Sequence, residues 1–264
     1  MSDLHRAEAH ADDEGRMPLG EHLNELRRCL LRAAVVVVTL FLVGFFLTEP
    51  LMRFALLPWE WGRADLVASG QTDPGTLTLI KPTEGILFTM KLALWFALLV
   101  GGPYVLHPLW SFVAVGLHAH EKRAVYRSLP FSMALFFGGL SFGFFGLVPL
   151  ALPILITWVP EDLARPTITL SEYFGTVSTL TLLMGFVFQL PLLMWLVVRA
   201  GLVEAEWLGS SRRVAIVAML VFAAIMTPPG VITQVFVVLP MMLLFEIGLG
   251  LARRAQAARE REAL

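Results

Sequence analysis

The sequence predicts an all-α polytopic membrane protein with six transmembrane helices. Three observations carry that reading. Hydrophobic residues make up 57% of the 264 residues and charged ones only 16%, whereas an average soluble domain is about a quarter charged. The apolar residues are gathered in blocks near the roughly 20 needed to cross a bilayer as a helix. These blocks lack the ten-residue alternation of a barrel strand. A net charge of −1 leaves no basic footprint for nucleic acid. The single cysteine, Cys29, has no partner for an internal disulfide.

The elements follow in order. Residues 1–19 are polar, with Asp12, Asp13 and Glu14 in a run, and read as a disordered tail. Residues 20–28 read as an interfacial helix turn. Leu23, Leu26 and Leu30 share one face of it, and Glu21, Glu25, Arg28 and Arg32 another. The first span falls at about 29–48 and the second at about 85–106, joined by a long loop with Pro58, Trp59, Trp61, Pro74 and Pro82. The third, about 124–152, is long and contains GLSFG, whose Gly139 and Gly143 let a neighbouring helix come close. The fourth covers about 173–199, the fifth about 214–227 and the sixth about 232–250, the last two joined by TPPG. The polar tail 253–264 follows, so the membrane domain is 20–252. The fifth span is short, about 21 Å against a hydrocarbon core of about 30 Å. Either its flanking residues dip into the membrane or the bilayer thins there.

Six spans put both termini on one side, and the basic residues choose which. Fifteen lie in the two tails and in the 107–127 and 199–213 loops, among them Arg27, Arg28, Lys122, Arg123, Arg212, Arg213, Arg253 and Arg254. Five lie on the other side: Arg53, Arg63, Lys81, Lys91 and Arg165. The excess predicts both termini in the cytoplasm. LRRCLLRAAVVVV superficially matches a twin-arginine export signal, but no A-x-A cleavage site follows and more spans do, so it reads as a retained helix.

Polar residues inside the apolar blocks are the candidates for function. Gln189, in FVFQLP, lies ten residues before Arg199, about 15 Å along a helix and near the midplane. The following Pro191 frees a backbone carbonyl one turn earlier. Gln189 suits a helix–helix hydrogen bond, a docking point for another subunit's helix, or both. An amide cannot titrate, which argues against a proton relay there. Gln234 follows the TPPG turn and either caps the sixth span or bonds across helices. Glu246 should face protein, water or headgroups. Lys91 can snorkel outward, and Glu84, two turns away, could reach it only through a bridging group.

Other chemistries find little support. HAHEKR, His118–Arg123, lacks the second histidine of a zincin motif, because position 124 is alanine. There is no G-x-x-x-x-G-K-[ST] loop for nucleotide and no nucleophile in a G-x-S-x-G setting. No cofactor, metal site or enzymatic activity is expected. A small-molecule or ion transporter would favour broken helices and charged midplane residues, where this chain has mainly Gln189.

Six segments occur in a telling order: HLNELRRCLL, PTEGI, PYVLHPLWSFVAVGLHAHEKR, FQLP, MTPPGVITQ and LPMMLLFEIG. Together they resemble the TatC family, the multispanning core of the twin-arginine protein translocase, over about residues 20–252. The resemblance implies a receptor for signal peptides of folded export substrates, working with single-span partners of the TatA/TatB type. It implies transport driven by the proton-motive force, a homo-oligomer within the complex, and a place in the bacterial inner membrane. Its binding residues fall on Glu25, Arg27, Phe112 and Glu121. Its loop proline falls on Pro58, its intramembrane polar position on Gln189 and its turn glutamine on Gln234. Many relatives carry Glu where Gln189 stands, Asp where Gly230 stands, and a further basic residue where Cys29 stands.

The chemistry suits those positions. Each arginine of a twin-arginine signal offers a planar fork that a carboxylate accepts bidentately. Glu25 and Glu121 both adjoin membrane boundaries on the predicted cytoplasmic side, and Trp110 and Phe112 can supply an apolar wall. Arg28 and Arg32 are the internal rivals for Glu25.

Overall fold

In the computed structural model, the backbone is described for residues 19–115, 119–157, 167–226 and 231–262. Side chains are described for 27–106, 127–157, 167–225 and 234–261. The predicted tail at 1–18 and the 227–230 turn lie outside these residues.

The described residues form α-helices and one π-helical segment, with no strand. α1 (Leu19–Phe46) contains the expected interfacial turn and the first span as one continuous helix. α2 (Thr48–Ala55) and α3 (Leu57–Ala68) follow, and then α4 (Pro82–Val115). α5 (Ala119–Ser141), the π segment (Phe142–Leu147) and α6 (Val148–Ile156) make one unbroken rod. α7 (Leu170–Val187) and α8 (Leu190–Arg199) form the fourth span. α9 (Ala205–Ser210), α10 (Arg212–Met226) and α11 (Val231–Glu262) complete the chain. Five of the spans are long and apolar enough to cross a bilayer. The remaining one, the fifth span α10, has only 15 residues, short as the sequence predicts.

The segment read as a long loop after the first span is largely helical. Ala55, Trp59, Gly62 and Leu66 are buried at intervals of four, three and four, the period of a helix face. Pro58 sits in the first turn of α3, where its missing N–H costs nothing, and is itself buried. Trp59 stands edge-on to Tyr173 with centroids 5.7 Å apart. The Tyr173 hydroxyl donates to the Ala55 carbonyl at 2.7 Å. These short helices thus touch the first turn of the fourth span at Tyr173, while Gly62 of α3 faces Leu152 and Pro153 of α6.

The rest of that connection is pinned too. Arg63 donates to Asp73 through Nε at 2.6 Å, and the Gly75 amide donates to the same carboxylate at 2.9 Å. Thr78 exchanges backbone hydrogen bonds with the Ile168–Leu170 stretch, its N–H donating at 3.1 Å and its carbonyl accepting at 3.0 Å. α7 begins there in a capping box, with the Thr169 side chain accepting from the Glu172 amide.

Close helix contacts explain the glycines. α1 lies along α4, where a β-carbon on Gly44 would stand 2.9 Å from the Phe96 ring. α5 lies against α7 at both glycines of GLSFG. A β-carbon on Gly139 would collide with the Met184 carbonyl, and one on Gly143 would stand 2.9 Å from Thr181 Cα. The main core fills the space between α2, α3, α4, the π segment, α6 and α7, with Phe88, Leu92, Leu147, Phe174 and Val177 fully buried.

The fourth span is broken between α7 and α8. Gln189 N–H turns back to Phe186 O at 2.9 Å, and Leu192 and Leu193 both donate to Gln189 O. Pro191 sits in the first turn of α8, so the break falls where the proline forbids the usual bond to Val187. α8 ends in a Schellman motif, with Leu202 N–H on Val197 O and Gly201 N–H on Val198 O. Gly201 takes φ +67° to make it.

Candidate functional site

The break at Gln189 leaves its side chain beside α5. Ser132 Oγ donates to Gln189 Oε1 at 2.6 Å, and Gln189 Nε2 donates to the Ser132 carbonyl at 3.0 Å. The predicted helix–helix bond is present, and its partner is in this chain. Ser132 is buried and Gln189 partly so, a setting in which paired polar groups avoid the penalty of facing hydrocarbon alone. A single sequence offers no signal that singles out Ser132.

Gln234 bonds across helices. Its Nε2 donates to Leu220 O on α10 at 3.0 Å, tying the first turn of α11 to the middle of α10. At the other end of the same helix pair, Arg212 Nη2 donates to Glu246 Oε2 at 2.8 Å. Short α10 is therefore fastened to α11 by one polar contact at its first residue and one at its middle. The structure does not join Gln189 to Gln234; each bonds elsewhere.

The bridging group between Glu84 and Lys91 is Ser171. Lys91 Nζ donates to Ser171 Oγ at 3.3 Å, and the Ser171 amide donates to Glu84 Oε1 at 3.1 Å. Glu84 also accepts from the Ile80 amide at 3.0 Å. The second span, its approach and the fourth span thus share one polar network at the end of the bundle opposite the termini.

Of the predicted receptor residues, Glu25 and Arg27 lie on α1, Phe112 on α4 and Glu121 on α5. The Arg27 side chain is exposed. The side chains of Glu25, Phe112 and Glu121, and those of HAHEKR, lie outside the described residues. Glu25 and Glu121 occur in the opening turns of the first and third spans, which run in the same sense through an alternating bundle. The backbone at both positions therefore belongs to one end of it, the end at which α1 begins.

These features define a polytopic helical membrane protein with hydrogen-bonded polar residues between its spans. The model of the family described as "Sec-independent protein translocase protein (TatC)" matches residues 21–240. The chain is 32% identical over 255 residues to a Sec-independent protein translocase protein TatC of Azotobacter chroococcum, spanning 96% of this chain and 95% of that one. It is 30% identical over 241 residues to TatCy of Bacillus subtilis, spanning 91% and 90%. A crystal structure described as the twin arginine translocase receptor TatC superposes with a TM-score of 0.71 at 29% identity, covering 89% of this chain and 99% of that one. The chain belongs to the TatC family. Membership makes it a component of a Sec-independent protein translocase rather than an enzyme.

Proposed function

We propose that this chain is the signal-peptide receptor and core of a twin-arginine translocase. Carboxylates at the mouth of the bundle, Glu25 and Glu121, grip the arginine pair of a folded cargo protein's signal. The observation that carries the reading is their shared end, which also holds fifteen of the twenty basic residues. That excess assigns the end, and both termini, to the cytoplasm of a bacterial inner membrane. Arg27 orients the carboxylates, and Phe112 gives the apolar wall beside them. α4 leads inward from Phe112 to an apolar notch of about 40 Å³ lined by Leu98, Gly102, Leu106, Phe136, Leu182 and Phe186. Leu106 lies six residues before Phe112, about 9 Å along the helix. At that size the notch seats no more than one small apolar side chain of the stretch that follows an arginine pair.

Gln189 and Gln234 mark the surfaces for TatA/TatB-type single-span helices, since each amide keeps donor or acceptor capacity beyond its internal bond. The proton-motive force drives transport, and several copies of the chain assemble in the complex. The testing experiment is photo-cross-linking from position 121 to signal peptides with and without the arginine pair. Cross-links that need the pair support the reading. Equal cross-linking of both peptides, or cysteine labelling that places 25 and 121 outside the cell, overturns it.

A further inference from the structure

Where α9, α10 and α11 meet, at the end that carries the termini, the structure builds a second cationic corner. α9 presents Trp207, 60% exposed, at the level where tryptophans settle among headgroups. α10 starts just after it with Arg212 and Arg213, and α11 carries Arg253, which reaches Gly209 of α9, and Arg254 next to it in sequence. Two contacts fix the corner. Arg212 pairs with Glu246 at 2.8 Å. The Arg253 guanidinium lies over Gly209, 3.5 Å from where a β-carbon would stand. Arg213, Arg253 and Arg254 are all exposed, and among the described residues none of them forms an ion pair. Two of the nearby carboxylates are turned to other partners. Glu246 holds Arg212, and Glu206 accepts from Gln256 at 3.1 Å.

Next to these arginines, toward the membrane, the helices expose apolar side chains. Val214 and Val217 of α10 are 71% and 59% exposed, and Leu243 of α11 is 63% exposed. α10 is about 22 Å long, short of the roughly 30 Å core, so headgroups must come down toward its first residues. Charge above and hydrocarbon below match one kind of molecule.

We propose that this corner binds an anionic phospholipid of the leaflet facing the termini. Its phosphodiester is held by the guanidinium forks of Arg213, Arg253 and Arg254, and its acyl chains lie on Val214, Val217 and Leu243. Guanidinium N–H groups donate in pairs to phosphate oxygens. A headgroup without its own cation leaves that charge uncancelled, so the site favours phosphatidylglycerol over phosphatidylcholine. The proposal is independent of signal recognition at Glu25 and Glu121.

The test titrates the full-length protein in detergent micelles with phosphatidylglycerol, phosphatidylcholine and inorganic phosphate, read by native mass spectrometry. Phosphatidylglycerol should be retained preferentially and inorganic phosphate should not displace it. Arg213→Gln and Arg253→Gln should each weaken retention roughly fivefold, while Arg261→Gln leaves it unchanged. In the unaltered protein, a photoactivatable phosphatidylglycerol should label segments 205–217 and 243–254, a readout that does not depend on how the variants fold. Equal retention of the two lipids, full displacement by inorganic phosphate, or label confined to other segments would overturn the proposal. So would variants that release a single-span partner protein while keeping the lipid, which would make the corner a protein interface.

Discussion

Ser132 and Gln189 hold each other by two hydrogen bonds, one from the serine hydroxyl and one from the glutamine amide, across the third and fourth spans. The pair sits at the one break in the fourth span, so the bend and the polar contact stabilise each other. Gln189→Leu should lower stability by about 0.6 kcal/mol, with about 1.7 kcal/mol as a ceiling for such bonds in a membrane. Adding Ser132→Ala should cost less than the two single changes summed, because they share the interaction. Reversible unfolding in mild micelles measures both. Additive losses would show that the two residues act separately.

The contact between α5 and α7 depends on Gly139 but not on its neighbour. Gly139→Ala drives a methyl group into the Met184 carbonyl, and overpacking of this kind costs about 1–3 kcal/mol. Nothing lies within 4 Å of a β-carbon on Gly138, so Gly138→Ala should be neutral or slightly stabilising. Thermal unfolding of the two variants side by side makes the comparison.

The clip between Arg63 and Asp73 gives the connection between the first and second spans an acid limit. Asp73 is held below its ordinary 3.8 first by the hydrogen bond from Arg63 and then by the Gly75 amide. The same bond raises the Arg63 guanidinium above its ordinary value. A depressed carboxyl contributes stability that is complete above pH 3.8 and fades as pH falls through the folded value. The raised guanidinium keeps its share throughout that range. Pepsin digestion should therefore cut the 70–80 segment faster in Asp73→Asn than in the unaltered protein at about pH 4, with the difference closing toward about pH 2. A difference that stays constant over that range would refute the clip.

Recognition of the arginine pair should depend on both carboxylates. Glu25→Ala and Glu121→Ala should each weaken binding of a twin-arginine signal peptide, Glu121→Ala the more. Hydrogen bonds to charged groups are worth about 1.5–3 kcal/mol in protected settings, so losses of roughly ten- to a hundredfold are expected. A Lys-Lys peptide should bind less tightly, because an ammonium lacks the planar fork. Fluorescence titration in nanodiscs reads all three. Unaltered affinity in both variants, or equal affinity for the two peptides, would sink bidentate recognition.

The spans were legible because membrane burial writes itself into long apolar runs. The short fifth helix, the close approach at Gly139 and Gly143 and the need for a bridge between Glu84 and Lys91 could all be read in advance. The identity of that bridge could not, since Ser171 and Ser132 look like any other serine until the fold brings them within reach. The two helices after the first span were hidden by their prolines and tryptophans, although Ala55, Trp59, Gly62 and Leu66 already carried the spacing. The carboxylates at the mouth were named from an ordered set of motifs, because spacing along one chain does not say which acidic group awaits a partner.

The short pairing of Thr78 with Thr169 has a wider consequence. It staples the approach to the second span onto the start of the fourth, so two backbone hydrogen bonds must break before that approach can lift away from α7.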